Sequence, residues 1–141
     1  SYTTTTTDAG IVMDALGKRS AFAGGKPWIV AACGDRAPVA LALVRARRST
    51  PALVLIAPKL PLVEIAEFRA QLRATKLRTF VQIGPEEPEA LELSDLLAKD
   101  TLPGQVRVAD SGRPGRGAAI FRAEPKVSQR LLDWLVEKPG K

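Results

Sequence analysis

The chain contains no histidine and only one cysteine, Cys33, among its 141 residues. Without an imidazole, it cannot by itself supply a Ser-His-acid or Cys-His catalytic centre, a histidine-ligated zinc site or a histidine general base. A single cysteine also excludes a disulfide within this sequence and a cysteine-rich metal site. The composition therefore excludes the commonest hydrolytic and zinc-dependent mechanisms for this chain acting alone. We predict neither a metal nor another cofactor.

Aromatic residues are also scarce, with two Trp, one Tyr and four Phe, and they are not interleaved with Lys and Arg in the pattern that stacks nucleic-acid bases. The net charge is +6, from 21 Lys plus Arg against 15 Asp plus Glu, but the basic residues are spread along the chain. Their densest cluster, Arg45, Arg47 and Arg48, lies at the end of a predicted helix, where cations complement the helix dipole. We therefore do not expect a nucleic-acid-binding function.

No apolar run approaches the roughly 20 residues that span a bilayer, so no membrane span is expected. No signal peptide is apparent, which favours a cytoplasmic location. The apolar content of 45% is typical of a globular protein. A chain of this length is large enough for one domain with a core that needs no disulfide or metal.

The N-terminal residues 1–7 include five consecutive threonines and are interpreted as a linker or a short edge strand. Residues 8–141 are predicted to form a single domain. Its first element is a helix over residues 9–22, since Asp8 is a good N-cap and the apolar residues that follow recur at helical spacing.

Apolar runs and turn-forming residues then alternate along the chain. Runs bounded by Gly or Pro predict strands that are buried on both faces, and a more polar fourth strand is expected near a sheet edge. The predicted strands are 28–33, 52–57, 79–83 and 105–109. The predicted helices are 39–47, about 63–75, one opened by Pro88 and one opened by Pro125. The helical segment over about 63–75 carries the apolar residues Val63, Ile65, Ala66, Phe68, Leu72 and Leu77.

Strict alternation of helices with apolar strands predicts an α/β fold, a three-layer α/β/α sandwich around a mostly parallel sheet. The four strands are expected side by side in chain order, joined by right-handed crossovers. A fifth strand is added if residues 1–7 pair with the sheet.

The segment from Trp28 to Leu43 combines an apolar strand, a turn at Gly34 and an Ala/Leu-rich helix. It resembles the nucleophile strand, elbow and following helix of the α/β-hydrolases, whose elbow reads G-x-S-x-G. Later segments resemble, in order, the family's next strand, its catalytic-acid strand, its histidine loop and its C-terminal helix. These segments are 51–58, 78–87, 116–125 and 127–138. The similarity is to the dienelactone-hydrolase and small-esterase branch, and it covers the second half of a complete member.

The resemblance places residues without the required chemistry at the catalytic positions. The nucleophile position falls on Gly34, or on Cys33 after a shift of one residue. The base position falls on Arg116, which cannot give up its proton, and the acid position on Glu86 or Glu87. The resemblance therefore implies a pseudoenzyme, a catalytically inactive α/β-hydrolase-like domain with a structural or protein-interaction role.

The resemblance also implies an exposed sheet edge. In the family, the strand similar to residues 28–33 is central and paired on both sides. Here its outer edge is bare unless residues 1–7, a second copy of the chain or a partner protein covers it. This predicts a homo-oligomer or a protein partner docked at that edge.

Two other functions are weighed against this one. A small anionic ligand could bind over the strand ends, held by the Gly34-Asp35-Arg36 turn together with Arg113 and Arg116. The alternative for the turn is a helix cap by Asp35 with a solvated Arg36, and for the two later arginines a flexible, solvated loop. A residual hydrolase is the other hypothesis, with a histidine supplied by another chain.

Cys33 and a group of three glutamates each allow a functional and a purely structural interpretation. Cys33 is a candidate nucleophile, or else a small residue at a strand end. Glu86, Glu87 and Glu89 could bind a hard cation, or else complement the dipole at a helix N-terminus.

Overall fold

The computed structural model describes residues 29–46, 50–85, 87–112 and 119–137. The predicted helix over 9–22 and the threonine-rich segment 1–7 lie outside the described residues. The division into a linker and a single domain from residue 8 therefore stays a prediction.

Four parallel strands form the described sheet. They are β1 (Val30–Cys33), β2 (Ala52–Ile56), β3 (Arg78–Ile83) and β4 (Val106–Asp110). The strands are neighbours in chain order, and every pair is parallel. This confirms the predicted α/β fold, its parallel sheet and the edge position of the more polar fourth strand.

Helices connect the strands and follow the last of them. They are α1 (Ala37–Ala46), α2 (Leu62–Thr75), α3 (Pro88–Asp100), the short α4 (Ile120–Ala123) and α5 (Pro125–Val136). A 3₁₀ turn, Gly34–Arg36, leads from β1 directly into α1. Pro88 and Pro125 each occupy a first-turn position, where the missing N–H costs no helical hydrogen bond. The short α4 has no counterpart among the predicted elements.

Helices α1, α2 and α3 pack against one face of the sheet. Parallel neighbours joined in chain order by crossovers of the same hand place all their connecting helices on the same side. The larger apolar cluster joins strand residues such as Leu53 and Leu55 to Leu41 of α1, Leu72 of α2 and Leu97 of α3. All five of these side chains are buried.

The opposite face of the sheet is covered by α5. Its Trp134 packs against Phe80 of β3 with ring centroids 5.3 Å apart, and Val54 of β2 belongs to the same buried cluster. The Arg78 guanidinium lies 4.4 Å from the centroid of the Trp134 ring, and its Nη2 donates a hydrogen bond to Trp134 O at 2.7 Å. The sheet therefore has helices on both faces, as the three-layer prediction requires.

Not every apolar residue of the third predicted helix faces the sheet. Val63 is 91% exposed, whereas the buried residues of α2 are Phe68 and Leu72. Val63 precedes Phe68 by five residues, which turns it about 140° around a helix of 3.6 residues per turn. It therefore points away from the sheet-facing side of α2.

We predict that Trp134→Ala lowers the free energy of unfolding by about 3–5 kcal/mol, because it removes the indole ring that packs α5 against the sheet and leaves a cavity. Urea unfolding followed by far-ultraviolet circular dichroism measures the change. Leu132→Ala is the matched control, since Leu132 lies on the same helix and is exposed. The free energy of unfolding of Leu132→Ala should fall by less than about 1 kcal/mol. Equal decreases for the two variants would contradict the role of Trp134.

Candidate functional site

The carboxyl ends of the strands form the candidate site, since ligands of open parallel sheets bind at this edge. The segment after β2 is bonded to the strands on both sides. Ala57 N donates to Gln82 O at 2.8 Å, and Lys59 N donates to Gly34 O at 3.0 Å. Ala57 adopts a φ of 46°, a left-handed conformation that is strained for a residue other than glycine. Backbone hydrogen bonds thus hold the ends of β1, β2 and β3 in a defined arrangement.

The Gly34-Asp35-Arg36 turn lies at the end of β1, and Gly34 has a φ of 62°, which favours glycine. Arg36 Nε lies 3.8 Å from Asp35 Oδ1, and both side chains are mostly exposed, so this ion pair is weak. The predicted capping role of Asp35 is wrong. The N-cap of the turn is Cys33, and no side-chain hydrogen bond caps it. The reason is that the 3₁₀ turn begins at Gly34, which places Asp35 inside the first turn.

Lys59 is a second cation at this edge that the sequence analysis did not identify. Its backbone hydrogen bond to Gly34 places it beside the turn that carries Arg36. No local signal connects the two cations, since one follows β1 and the other follows β2. The parallel pairing of β1 with β2 brings the two loops together.

The end of β4 is tied to β3 in the same way. Ser111 N donates to Ile83 O at 3.0 Å, and Asp110 Oδ1 accepts a hydrogen bond from Gly112 N at 2.9 Å. The next residues, including the predicted ligands Arg113 and Arg116, lie outside the described residues.

The two described carboxylates near the end of β3, Glu87 and Glu89, each interact with backbone groups close to them in the sequence. Glu87 Oε2 accepts a hydrogen bond from Gly84 N at 3.2 Å, and Glu89 lies in the first turn of α3, where it complements the helix dipole. Glu86 lies outside the described residues. Within the part of the chain that the structure describes, no group of three or more Cys, Asp and Glu side chains could hold a metal ion.

Cys33, the alternative nucleophile, is the last residue of β1 and is exposed. The described acid candidate, Glu87, follows β3, with β2 lying between that strand and β1. Neighbouring strands are about 4.8 Å apart, so β1 and β3 are separated by roughly 10 Å. The structure therefore does not bring these two strand ends into direct contact.

Gln82 is a buried polar residue at this edge that the sequence analysis did not single out. Its Nε2 donates hydrogen bonds to Ile83 O at 3.1 Å and to Ala109 O at 3.0 Å. Two carbonyl acceptors determine the orientation of the amide, since the reverse orientation would set oxygen against oxygen. Its Oε1 is buried without a hydrogen-bond partner. The sequence feature that could have identified Gln82 is a single amide within the apolar strand predicted over 79–83.

Comparisons of the chain with models of protein families, with curated proteins and with solved structures found no match. None of the helices in the described ranges is both long enough and apolar enough to cross a membrane.

We predict that Gln82→Glu lowers the free energy of unfolding by about 3 kcal/mol or more at pH 7, because it sets a buried carboxylate against two carbonyl oxygens. Burial raises the pKa of the new carboxyl in the folded state above its value in the unfolded chain. The neutral form can donate a hydrogen bond, so the loss should shrink as the pH falls from 7 to 5. Urea unfolding at both pH values measures this change.

Gln129→Glu is the control for that experiment, since Gln129 is exposed on α5. The new charge lies one helical turn from Asp133, the hydrogen-bond partner of Gln129, so a loss of a few tenths of a kcal/mol is expected. A loss for Gln82→Glu as small as this at pH 7 would contradict the structural role of the buried amide.

Proposed function

We propose that this domain functions in protein association, as a catalytically inactive α/β-hydrolase-like domain that dimerises through the outer edge of β1. The observation that carries the proposal is the exposure of β1. Within the described residues, β2 is the only strand paired with β1, and the side chains of Ala31 and Cys33 are exposed. Val54, the cross-strand partner of Ala31, is only 2% exposed. Among the described residues, the same face of the sheet is therefore buried at β2 and exposed at β1.

The composition of the two edge strands supports the same proposal. Exposed strand edges in soluble proteins are commonly protected by charged side chains, which prevent pairing with another chain. β4, the other edge of the described sheet, carries Arg107 and Asp110, both of which are exposed. β1 reads Val-Ala-Ala-Cys and has no charge. An unprotected edge of small apolar residues is suited to pairing with another strand.

A second copy of the chain fits this edge by symmetry. Antiparallel pairing of β1 with β1 about a two-fold axis uses the same surface on both copies and closes upon itself. Such pairing gives each strand a hydrogen-bonded neighbour on its outer side. It also brings the exposed Ile29, which precedes β1, into the contact region.

We predict that the parent chain sediments as a dimer and that Ala31→Lys sediments as a monomer under the same conditions. A lysine on the open face of β1 places a charge in the contact region of both copies, while the core is unaffected because Ala31 is exposed. Ala98→Lys, the same change at an exposed position of α3, is the matched control and should remain dimeric.

Sedimentation velocity across the micromolar range distinguishes these outcomes. The runs include a reducing agent and a Cys33→Ser variant, so that a disulfide between exposed Cys33 residues is not mistaken for strand pairing. A monomeric parent chain, or a dimer that Ala31→Lys leaves intact, would overturn the proposal.

An anion site at the strand ends is the second candidate, favoured by the two cations, Arg36 and Lys59, in adjoining loops. We expect phosphate to raise the melting temperature, because a ligand that binds only the folded state stabilises it. Chloride at the same ionic strength controls for screening. Arg36→Gln should remove the rise, whereas Arg73→Gln on the exposed side of α2 should keep it. A rise of equal size in both variants argues against this site.

A further inference from the structure

A groove lies between the N-terminal parts of α2 and α3, apart from the β1 edge. It encloses a cavity of about 350 Å³, near the lower end of the size range of ligand-binding pockets. Its apolar lining includes Leu60, Leu62, Ile65 and Leu96, and Glu89 and Glu92 stand beside these side chains. The groove thus combines an apolar lining with carboxylates along one side.

The apolar surface continues beyond the groove. Leu62 is 85% exposed, and its neighbour Val63 is 91% exposed, both in the first turn of α2. Isolated exposed apolar residues are ordinary in soluble proteins, whereas contiguous ones beside a cavity are typical of interaction surfaces.

The charge of the groove is opposite to that of the chain. The chain has a net charge of +6, yet Glu89 and Glu92 line this groove, while Lys59 is the one cation among the described residues of its lining. Glu64 and Glu67 line the adjoining groove between α1 and α2. Among the described residues, no ion pair neutralises Glu89 or Glu92. These carboxylates are therefore available to cations of a binding partner.

We propose that this groove binds an amphipathic helix of a partner protein, with an apolar stripe flanked by Lys or Arg. Apolar side chains at i, i+3 and i+4 spacing would enter between Leu62 and Leu96, as in other helix-in-groove complexes. The flanking cations would face Glu89 and Glu92. The charge of the groove selects a basic helix over an acidic one. The proposal is independent of the β1 edge, since different residues carry it.

A fluorescein-labelled peptide of leucine and lysine, with the leucines along one helical stripe, is the probe, and fluorescence anisotropy with the full chain measures its Kd. The net charge of the chain repels this peptide, so binding requires the local carboxylates. We expect Leu62→Ser and Glu92→Lys each to weaken binding about tenfold. The controls are Leu132→Ser and Asp133→Lys on the exposed side of α5, each expected to stay within about twofold of the parent.

Three outcomes would overturn the proposal. The first is no binding of the leucine–lysine peptide, or equal binding by the parent chain and all four variants. The second is equal binding of a peptide in which glutamate replaces every lysine. The third is self-association that Leu62→Ser abolishes while Ala31→Lys leaves it intact, since a second copy would then be the occupant.

Discussion

The order of the strands is the constraint on which the rest of this domain depends. Four parallel neighbours, taken in chain order and joined by crossovers of one hand, direct α1, α2 and α3 to the same face. The larger apolar cluster forms there, and the opposite face depends on α5. Trp134, packed on Phe80 and beside the Arg78 guanidinium, is the contact through which α5 covers that face.

This unequal coverage determines which surfaces stay open. The contacts of α5 bury Val54 and Phe80 at the middle of the sheet, whereas Ala31 and Cys33 on β1 are exposed. Among the described residues, an exposed face and an uncharged edge therefore coincide on β1, the strand through which we propose that two copies pair. On the other side, the first turn of α2 presents apolar side chains away from the sheet and beside the carboxylates of α3.

The ends of the strands are held by backbone hydrogen bonds, and the described side chains beside them make mostly short-range contacts. Glu87 is bonded to Gly84 of its own turn, and Arg36 pairs loosely with Asp35. Gln82 Oε1 is a buried acceptor without a partner, and an amide does not take up or release protons near neutral pH.

The sequence by itself determined the four strands of the described sheet and the helices that follow them, except for the short α4. Apolar runs between Gly and Pro residues predicted three apolar strands and a more polar fourth, and the tendency of consecutive strands to be neighbours, together with right-handed crossovers, favoured the sheet in chain order. Only the tertiary structure decided the composition of the surfaces. The exposure of Val63, the approach of Lys59 to Gly34 and the lone acceptor of Gln82 each depend on contacts between distant parts of the chain. The local pattern of apolar residues indicates whether a segment can be buried. The packing of the elements against one another decides which face of each segment is buried and which side chains come into contact.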